Sequence, residues 1–572
     1  WSATGKDRWT GGSRQILVEK VETGSPADGV MKPGDVILGA DGAGLEPGAF
    51  TSDAIKRFAD AIADAEARDP ALLNLRVWRE GKVSTKTLEL QTMGAYSPTA
   101  PYNCPKSQKI LEQGLDYLYA HEDSGFMNFG LLALLCSDDP KHLARAREEA
   151  HALIPPPAMM EDMLAGVRPT GGGKHAWGRG YALVTLAEYY LATGDKEVLP
   201  AVEARAVEFA RNHSMFGTTG HKFAAKKEDG SDNGHMGGHY GAVNNTALMG
   251  LLGLTLAREC GIENPYIEPG IERAARFFAH YVGSEIPYGE HNSRRRVGFS
   301  SNGKPATAAL AFRYLPERVE ACRYFSKWCV AATPSRMSGH TGPYFEYVWA
   351  PLGAAAGGEA AASSYFHEVR WHLDLLRHWD GSFSYDVMRK PNTVDEQYGP
   401  FTATSDLLLT YALSRRALYI TGAKEYDRNV LSEKDVTEAE FSRHYRHKKQ
   451  ERTPQQLMED LGSWCPNTST QAAKELAERP EVAEYVDDLI AIANDTTQPR
   501  NLRAGACDAL SQIDDKRGLP VLVELLTDDD KYVRKTAAQS LRFMTGREDY
   551  VEDMLEAVVE IARPLRPFDE ED

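Results

Sequence analysis

Residues 234–256, Gly-His-Met-Gly-Gly-His-Tyr-Gly-Ala-Val-Asn-Asn-Thr-Ala-Leu-Met-Gly-Leu-Leu-Gly-Leu-Thr-Leu, run from a glycine-rich polar segment straight into an apolar stretch. The stretch reads as a core helix over Ala242–Arg258. A polar cluster at the mouth of a core helix must be solvated in a cleft or hydrogen-bonded, because burying it unpaired is costly. His235, His239, Tyr240, Asn244 and Asn245 can all take part in hydrogen bonds, and Gly234, Gly237, Gly238 and Gly241 let the backbone approach a ligand. Helical spacing puts Asn244 one turn on from Tyr240, with Leu248 continuing that stripe inward.

The same theme recurs on both sides. From Ser107 to about Gly422 the chain repeats a glycine-rich polar loop with aromatics, then an amphipathic helix, then a second helix. Clear copies begin at Ala176-Trp177-Gly178-Arg179-Gly180-Tyr181, at Gly238-His239-Tyr240-Gly241 and at Phe401-Thr402-Ala403-Thr404-Ser405-Asp406. They feed helices expected at Tyr181–Ala192, Ala242–Arg258 and Leu407–Ile420, with partners at Ala201–Asn212, Ile271–Val282 and Pro316–Ala332. Helical hairpins repeated in this way resemble an (α/α) toroid, in which inner helices surround a cavity and the loops at one end build the site. The uneven intervals fit roughly five to seven hairpins.

Upstream, residues 14–38 alternate apolar and polar positions around a Gly-Ser-Pro-Ala turn, which reads as two strands. A helical stretch follows at Ser52–Ala65, then strands at Leu72–Arg79 and Val83–Leu90 joined at Glu80-Gly81-Lys82. With Gly24-Ser25-Pro26-Ala27-Asp28-Gly29 and Gly34-Asp35-Val36-Ile37, this order resembles a PDZ domain. The resemblance implies that a peptide C-terminus could add as a strand, its carboxylate held by a glycine loop around Thr4 and Gly5. The usual Gly-Leu-Gly-Phe loop is absent.

Downstream, Arg503-Ala-Gly-Ala-Cys-Asp-Ala-Leu510 and Arg534-Lys-Thr-Ala-Ala-Gln-Ser-Leu541 repeat the same pattern, with Thr527-Asp528-Asp529-Asp530 between them and a weaker copy at Gln471–Leu476. These resemble HEAT repeats and imply a protein partner. The expected architecture is mainly α: a PDZ-like α+β domain over 1–95, a Pro-rich linker over 96–106, a toroid over 107–435 and a HEAT-like α-solenoid over 436–572. That order, with Thr99-Ala-Pro-Tyr-Asn-Cys-Pro-Lys-Ser107 and Gly339-His-Thr-Gly-Pro-Tyr344, resembles a bacterial family of unknown function.

At 572 residues, several domains are required. A net charge of -17 opposes a broad nucleic-acid or anionic-membrane surface, so a polyanionic substrate would need a local basic patch such as Arg294-Arg295-Arg296. No apolar run approaches a membrane span. Cys104, Cys136, Cys260, Cys322, Cys329, Cys465 and Cys507 include no Cys-x-x-Cys pair and read as mostly reduced, buried thiols. The first residue is Trp1 rather than Met, which with the PDZ resemblance gives the expectation of a secreted or periplasmic protein.

Five clusters could share one mouth of the toroid. They are His175-Ala-Trp177-Gly-Arg179, the cluster from His235 to Asn245, Glu290-His291-Asn292 with Arg294, His340 to Trp349 including Tyr344, and Trp379–Tyr385 continuing through Asp395, Glu396 and Tyr398. Aromatics interspersed with Asn, Arg, His and carboxylates suit sugars, whose faces stack and whose hydroxyls need paired donors and acceptors. For any one residue, core packing or helix capping is the competing explanation. A glycoside hydrolase needs two carboxyl groups, for which Glu290, Asp380, Asp395 and Glu396 are candidates. A polysaccharide lyase needs a Tyr or His base beside carboxylate-neutralising Asn or Arg, for which Tyr240, His239, Asn244 and Arg179 serve. Trp177-Gly178-Arg179-Gly180 resembles the Trp-x-Arg-Gly of toroidal hydrolases.

A zinc helix is rejected at His367–His372, where a step of five turns the second histidine about 140° from the first. No metal or cofactor motif, P-loop, serine elbow or dinucleotide fingerprint occurs. Hydrolase, lyase and a non-enzymatic envelope scaffold binding peptides all remain open, with hydrolase slightly ahead.

Overall fold

The computed structural model describes residues 2–4, 14–45, 54–122, 129–169, 175–236, 241–289, 299, 303–335, 344–385 and 394–562, excepting the side chains of 2–4 and 394–397. Among these residues are 22 α-helices and six short strands. The chain divides into two units, one of Trp1–Asn292 with Ser301–Thr437 and the other containing Glu438–Asp572.

The first unit opens with an antiparallel sheet. Its strands are β1 (Ser2–Thr4), β2 (Gln15–Leu17), β3 (Val36–Ala40), β4 (Ala43–Gly44), β5 (Leu72–Arg79) and β6 (Lys82–Glu89), in the order β1-β2-β3-β5-β6 with β4 beside β3. Alternation fixes the faces: Leu73, Leu75 and Val77 of β5 point into the core with Ile16, Ile37 and Leu88, while Leu72, Asn74 and Arg76 point out. Phe58 and Ala59 of the helix Ala54–Glu66 close that core. The β5–β6 turn is the two-residue Glu80-Gly81, both with positive φ (49° and 83°), the conformation that matches strand twist in a tight hairpin. Asp35, buried after β2, is held by Arg79 through Nε (2.6 Å) and Nη2 (2.7 Å).

The segment expected as a Pro-rich linker packs against the helix Glu359–Leu376. Pro101, Tyr102 and Cys104 are buried, Ser363 donates to the Thr99 carbonyl (3.0 Å), and a His367 ring nitrogen lies 2.7 Å from the Pro98 carbonyl. Beneath it sits a buried charge cluster. Arg377 and Lys106 both pair with Glu66, at 2.5 and 2.8 Å, and Tyr96 donates to Asp374 (2.7 Å).

Six helices then pack in succession: Gly130–Leu135, His175–Thr193, Asn244–Glu259, Gly303–Arg313, Tyr344–Ala356 and Val394–Ala412. The last returns to pack on the first. Asn244–Glu259 is buried without a break from Thr246 to Ala257, so its apolar residues run round the whole helix. Some of the helices between them are one-sided. Ile267–Ala279 buries Ile267, Gly270, Ile271, Ala274, Ala275 and Phe278, a single stripe that packs on Asn244–Glu259 and on Leu199–Asn212. Each fully buried Leu or Phe contributes about 1.5–3 kcal/mol of transfer free energy, so these stripes carry the stability of the region. Close approach is set by small residues: a Cβ on Gly353 would lie 2.6 Å from Ala306 Cα.

Two segments expected as loops are helical. Ala176–Tyr181 forms the first turns of His175–Thr193, and Phe401–Asp406 lies inside Val394–Ala412, beyond a break at Gly399 (φ 73°). The expectation was a recurring polar loop with aromatics, but at Gly178 and Gly180 tertiary packing outweighs the roughly 1 kcal/mol helix cost of each glycine.

In the second unit all three repeat copies lie on helices, Pro466–Ala477, Arg500–Ile513 and Lys531–Leu541. Leu476, Leu489, Ala506, Leu510, Leu522, Val533 and Leu541 form its core. Arg503 donates to the Ala493 carbonyl (3.0 Å) and grips both Asp528 oxygens, while Asp530 caps the next helix through Tyr532 N (2.7 Å). All seven cysteines are buried and unbridged. Among the described residues no helix is long and apolar enough to cross a membrane.

Candidate functional site

The helix His175–Thr193 presents His175, Gly178, Arg179, Tyr181 and Thr185 to a cleft of about 1200 Å³. With Ala182, the positions His175, Gly178, Arg179 and Thr185 are related by steps of three and four and so share one face, with Tyr181 at its edge. The facing wall is the helix Pro140–Ala152, which contributes Lys141, Arg145, Glu148 and Glu149; Tyr119, Glu122 and Arg205 complete the lining. His175 Nε2 accepts from Phe223 N (3.2 Å). Burial, helped by Arg168, Lys222 and Arg179, lowers its pKa to about 4, so it is a neutral imidazole at pH 7. Arg179 lies 3.5 Å from Glu208, a fully buried carboxyl on Leu199–Asn212. Burial raises Glu208 to about 7 against the pull of Arg179 and Arg205. Arg205 is itself lowered to about 10 by burial and then by Arg179. A cleft lined by a neutral imidazole and by Arg145, Arg179 and Arg205, with the Glu208 carboxyl buried behind Arg179, has groups suited to binding anions and moving protons.

Beside the cleft the N-terminal ends of several helices meet in an aromatic cluster. Trp177 stacks on Phe345 (5.3 Å between centroids), and Phe129 stacks on Tyr181 (4.9 Å). The Tyr181 and Tyr344 hydroxyls are hydrogen-bonded at 2.8 Å, and Tyr344 stacks on Tyr398 (4.4 Å). Tyr385 donates to Asp406 (2.5 Å), whose pKa burial pushes well above the carboxylate range. The structure thus brings Trp177, Tyr344, Trp349 and Tyr385 together, but all four are buried and form packed wall rather than exposed stacking platforms.

The remaining candidates are placed as follows. Asn244 is fully buried and its amide staples the Pro287 and Gly289 carbonyls, both at 2.9 Å; its neighbour Asn245 is half-buried. His235 is exposed. Asp380 is exposed and accepts from the Ser382 hydroxyl (2.6 Å) and amide (3.0 Å), a local turn away from the cleft lining. His239, Tyr240, Glu290, His291, Arg294, His340 and Gly5 lie outside the described residues, as do the side chains of Asp395, Glu396 and Thr4. For metal binding, His151, Asp195 and Glu197 are the one suitable group found among the described residues. Its polar atoms are already engaged: His151 Nε2 lies 2.8 Å from Asp195, which also accepts from Tyr189 (2.9 Å) and caps Glu197 N (3.1 Å).

Sequence reading missed Glu208, Arg205 and the glutamates of Pro140–Ala152. One signal was available, because Glu208 falls four and seven residues after Ala204 and Ala201, on the apolar stripe of its own helix. A charged residue on such a stripe needs a buried partner, here Arg179.

The helices packed in succession and the cleft on one of them define a single helical domain. Residues 107–422 match the family model described as a domain of unknown function, DUF6288, and the chain belongs to that family. Residues 454–542 match HEAT repeats. No curated protein matches the chain.

Proposed function

We propose that the chain is a carbohydrate-active enzyme that cleaves glycosidic bonds of a polysaccharide or oligosaccharide. In this reading the six helices packed in a returning succession are the inner ring of an (α/α) toroid, and the N-terminal sheet is a PDZ-like domain. The observation that carries the proposal is the large cleft in which His175, Arg179 and Tyr181 face Lys141, Arg145, Glu148 and Glu149. Charged and hydroxyl groups on both walls of the cleft match the donors and acceptors of a sugar chain. Hydrolysis is the first reading, because it needs one protonated and one ionised carboxyl, and the cleft offers ionisable glutamates with Glu208 held near neutrality behind Arg179.

A lyase is the second reading. It is favoured by Arg179 and Arg205, which stand beside the neutral His175 and could neutralise a uronate carboxylate while a base removes the neighbouring proton. A scaffold reading rests on the HEAT repeats, which are protein-interaction modules. Incubating the full chain with a panel of neutral and uronate-containing glycans separates the three. New saturated reducing ends select hydrolysis, ultraviolet-absorbing unsaturated ends select elimination, and neither product across the panel leaves the scaffold.

A further inference from the structure

The helix Val551–Ala562 carries an apolar face that nothing in the repeats covers. Met554 and Ala557 pack toward the repeat core, with Ile561 half-buried on the same side. Val551, Leu555, Val558 and Val559 instead remain 46%, 59%, 60% and 50% exposed. Their spacing of four, three and one residues places them on a single stripe adjoining the buried one. Singly exposed leucines and valines are ordinary, but four on one stripe of a three-turn helix form a patch of the kind that marks an interaction site.

The flank of that stripe gives the chemistry of its partner. Glu552, Asp553, Glu556 and Glu560 line the side away from the repeat core, all exposed, and no basic side chain interrupts them. None of the four is ion-paired among the described residues. Two of them fall in the first turn, where they also favour the helix dipole, but Glu556 and Glu560 continue the row beyond it. An apolar stripe bordered by carboxylates disfavours an anionic membrane and disfavours a second copy, which would bring like rows together. HEAT repeats are protein-interaction modules, and the surface described here deepens that reading.

We propose that the Val551–Ala562 face docks a basic amphipathic helix of a partner protein, with leucine-type anchors on the stripe and Lys or Arg against the acidic row. The probe is a synthetic helical peptide with leucines at i, i+3, i+4 and i+7 and lysines along one flank, titrated into the full chain. Its counterpart carries glutamates in place of the lysines. The lysine peptide is expected to bind at least ten-fold more tightly than the glutamate peptide and to weaken at least ten-fold in Leu555→Asp/Val559→Asp. Glu556→Lys/Glu560→Lys should reverse the preference between the two peptides. All four positions are exposed, so unchanged thermal unfolding serves as the check on folding. Lysine-peptide binding that survives the Leu555 and Val559 changes overturns this face while leaving an interaction role for the repeats intact. Binding that appears only when residues 563–572 are removed makes that segment the occupant and overturns the partner-helix proposal. Absence of binding in both forms overturns it as well.

Discussion

Arg377 donates to Glu66 at 2.5 Å, joining the end of the helix Ala54–Glu66 to the segment that follows the helix Glu359–Leu376. Lys106 pairs with the other Glu66 oxygen at 2.8 Å and sits over the Tyr96 ring. Burial pushes the Glu66 carboxyl up, but Arg377 and Lys106 outweigh it and hold the group below its ordinary value. Asp374 behaves oppositely: burial dominates and raises it. Glu66 is therefore the nearer anion to two buried cations, with Asp374 3.8 Å from each. Glu66→Leu should destabilise the first unit by about 3–5 kcal/mol, since it leaves both cations with only the more distant Asp374. Arg377→Met should cost less, because Lys106 still balances Glu66. Urea denaturation of the two variants checks the order; equal costs would contradict it.

Gly353 lies where the helices Gly303–Arg313 and Tyr344–Ala356 pack closely, with Ala306 Cα, Ala306 Cβ and Cys329 Sγ at 2.6, 2.7 and 2.9 Å from a Cβ placed there. Two of those three neighbouring atoms belong to a helix residue that cannot rotate away. Gly353→Val should therefore cost upwards of about 1–3 kcal/mol through overpacking, despite the better helix propensity of valine. Thermal unfolding measures it, and a neutral result would show that the two helices can separate without penalty.

Glu188 is fully buried, and the amides of Tyr419 and Ile420 donate to its two oxygens at 2.8 and 2.9 Å. Burial nevertheless raises its pKa from 4.5 to about 7. The folded protein keeps a proton that the unfolded chain releases between those values. Stability from this group is thus greatest below about pH 4.5 and declines as pH rises to about 7. The full span corresponds to about 3 kcal/mol. Glu208 contributes in the same sense, so Glu188→Gln should reduce the fall in stability between pH 5 and pH 8 without abolishing it. Urea midpoints across that range test this, and an unchanged slope would refute it.

Arg503 ties successive repeats by gripping Asp528 and the Ala493 carbonyl. Arg503→Lys keeps the charge but loses the two-pronged geometry, and should lower the unfolding temperature of the second unit. Arg503→Ala should lower it further, since it also removes the bond to the Ala493 carbonyl and leaves the half-buried Asp528 without its cation. Calorimetry that finds the two variants equal would assign Arg503 a charge role alone.

Periodicity made much of this fold readable. Leu72–Arg79 is a strand over the expected residues because its apolar positions alternate, and Ala201–Asn212 is a helix because its apolar positions recur at three and four. The hairpin at Glu80-Gly81 followed from a glycine beside a residue able to take positive φ. Ala176–Tyr181 and Phe401–Asp406 were misread as loops, because the packing partners that hold glycine and threonine in a helix are distant in sequence. The site was less legible for the same reason. His175 and Arg179 were picked out by residue type and do line a cleft, but its other wall, Lys141 to Glu149, sits on an ordinary amphipathic helix with no local sign of its role. Asn244, chosen for its polarity, staples a neighbouring turn.

The central claim, that the cleft lined by His175, Arg179 and Tyr181 turns over glycans, is tested most directly by product formation on the glycan panel with the full chain and with Arg179→Ala. The account predicts new saturated or unsaturated chain ends from the full chain, reduced at least a hundred-fold in the variant while thermal unfolding still reports a folded protein. No product from the full chain on any glycan, or equal product from both proteins, would contradict it.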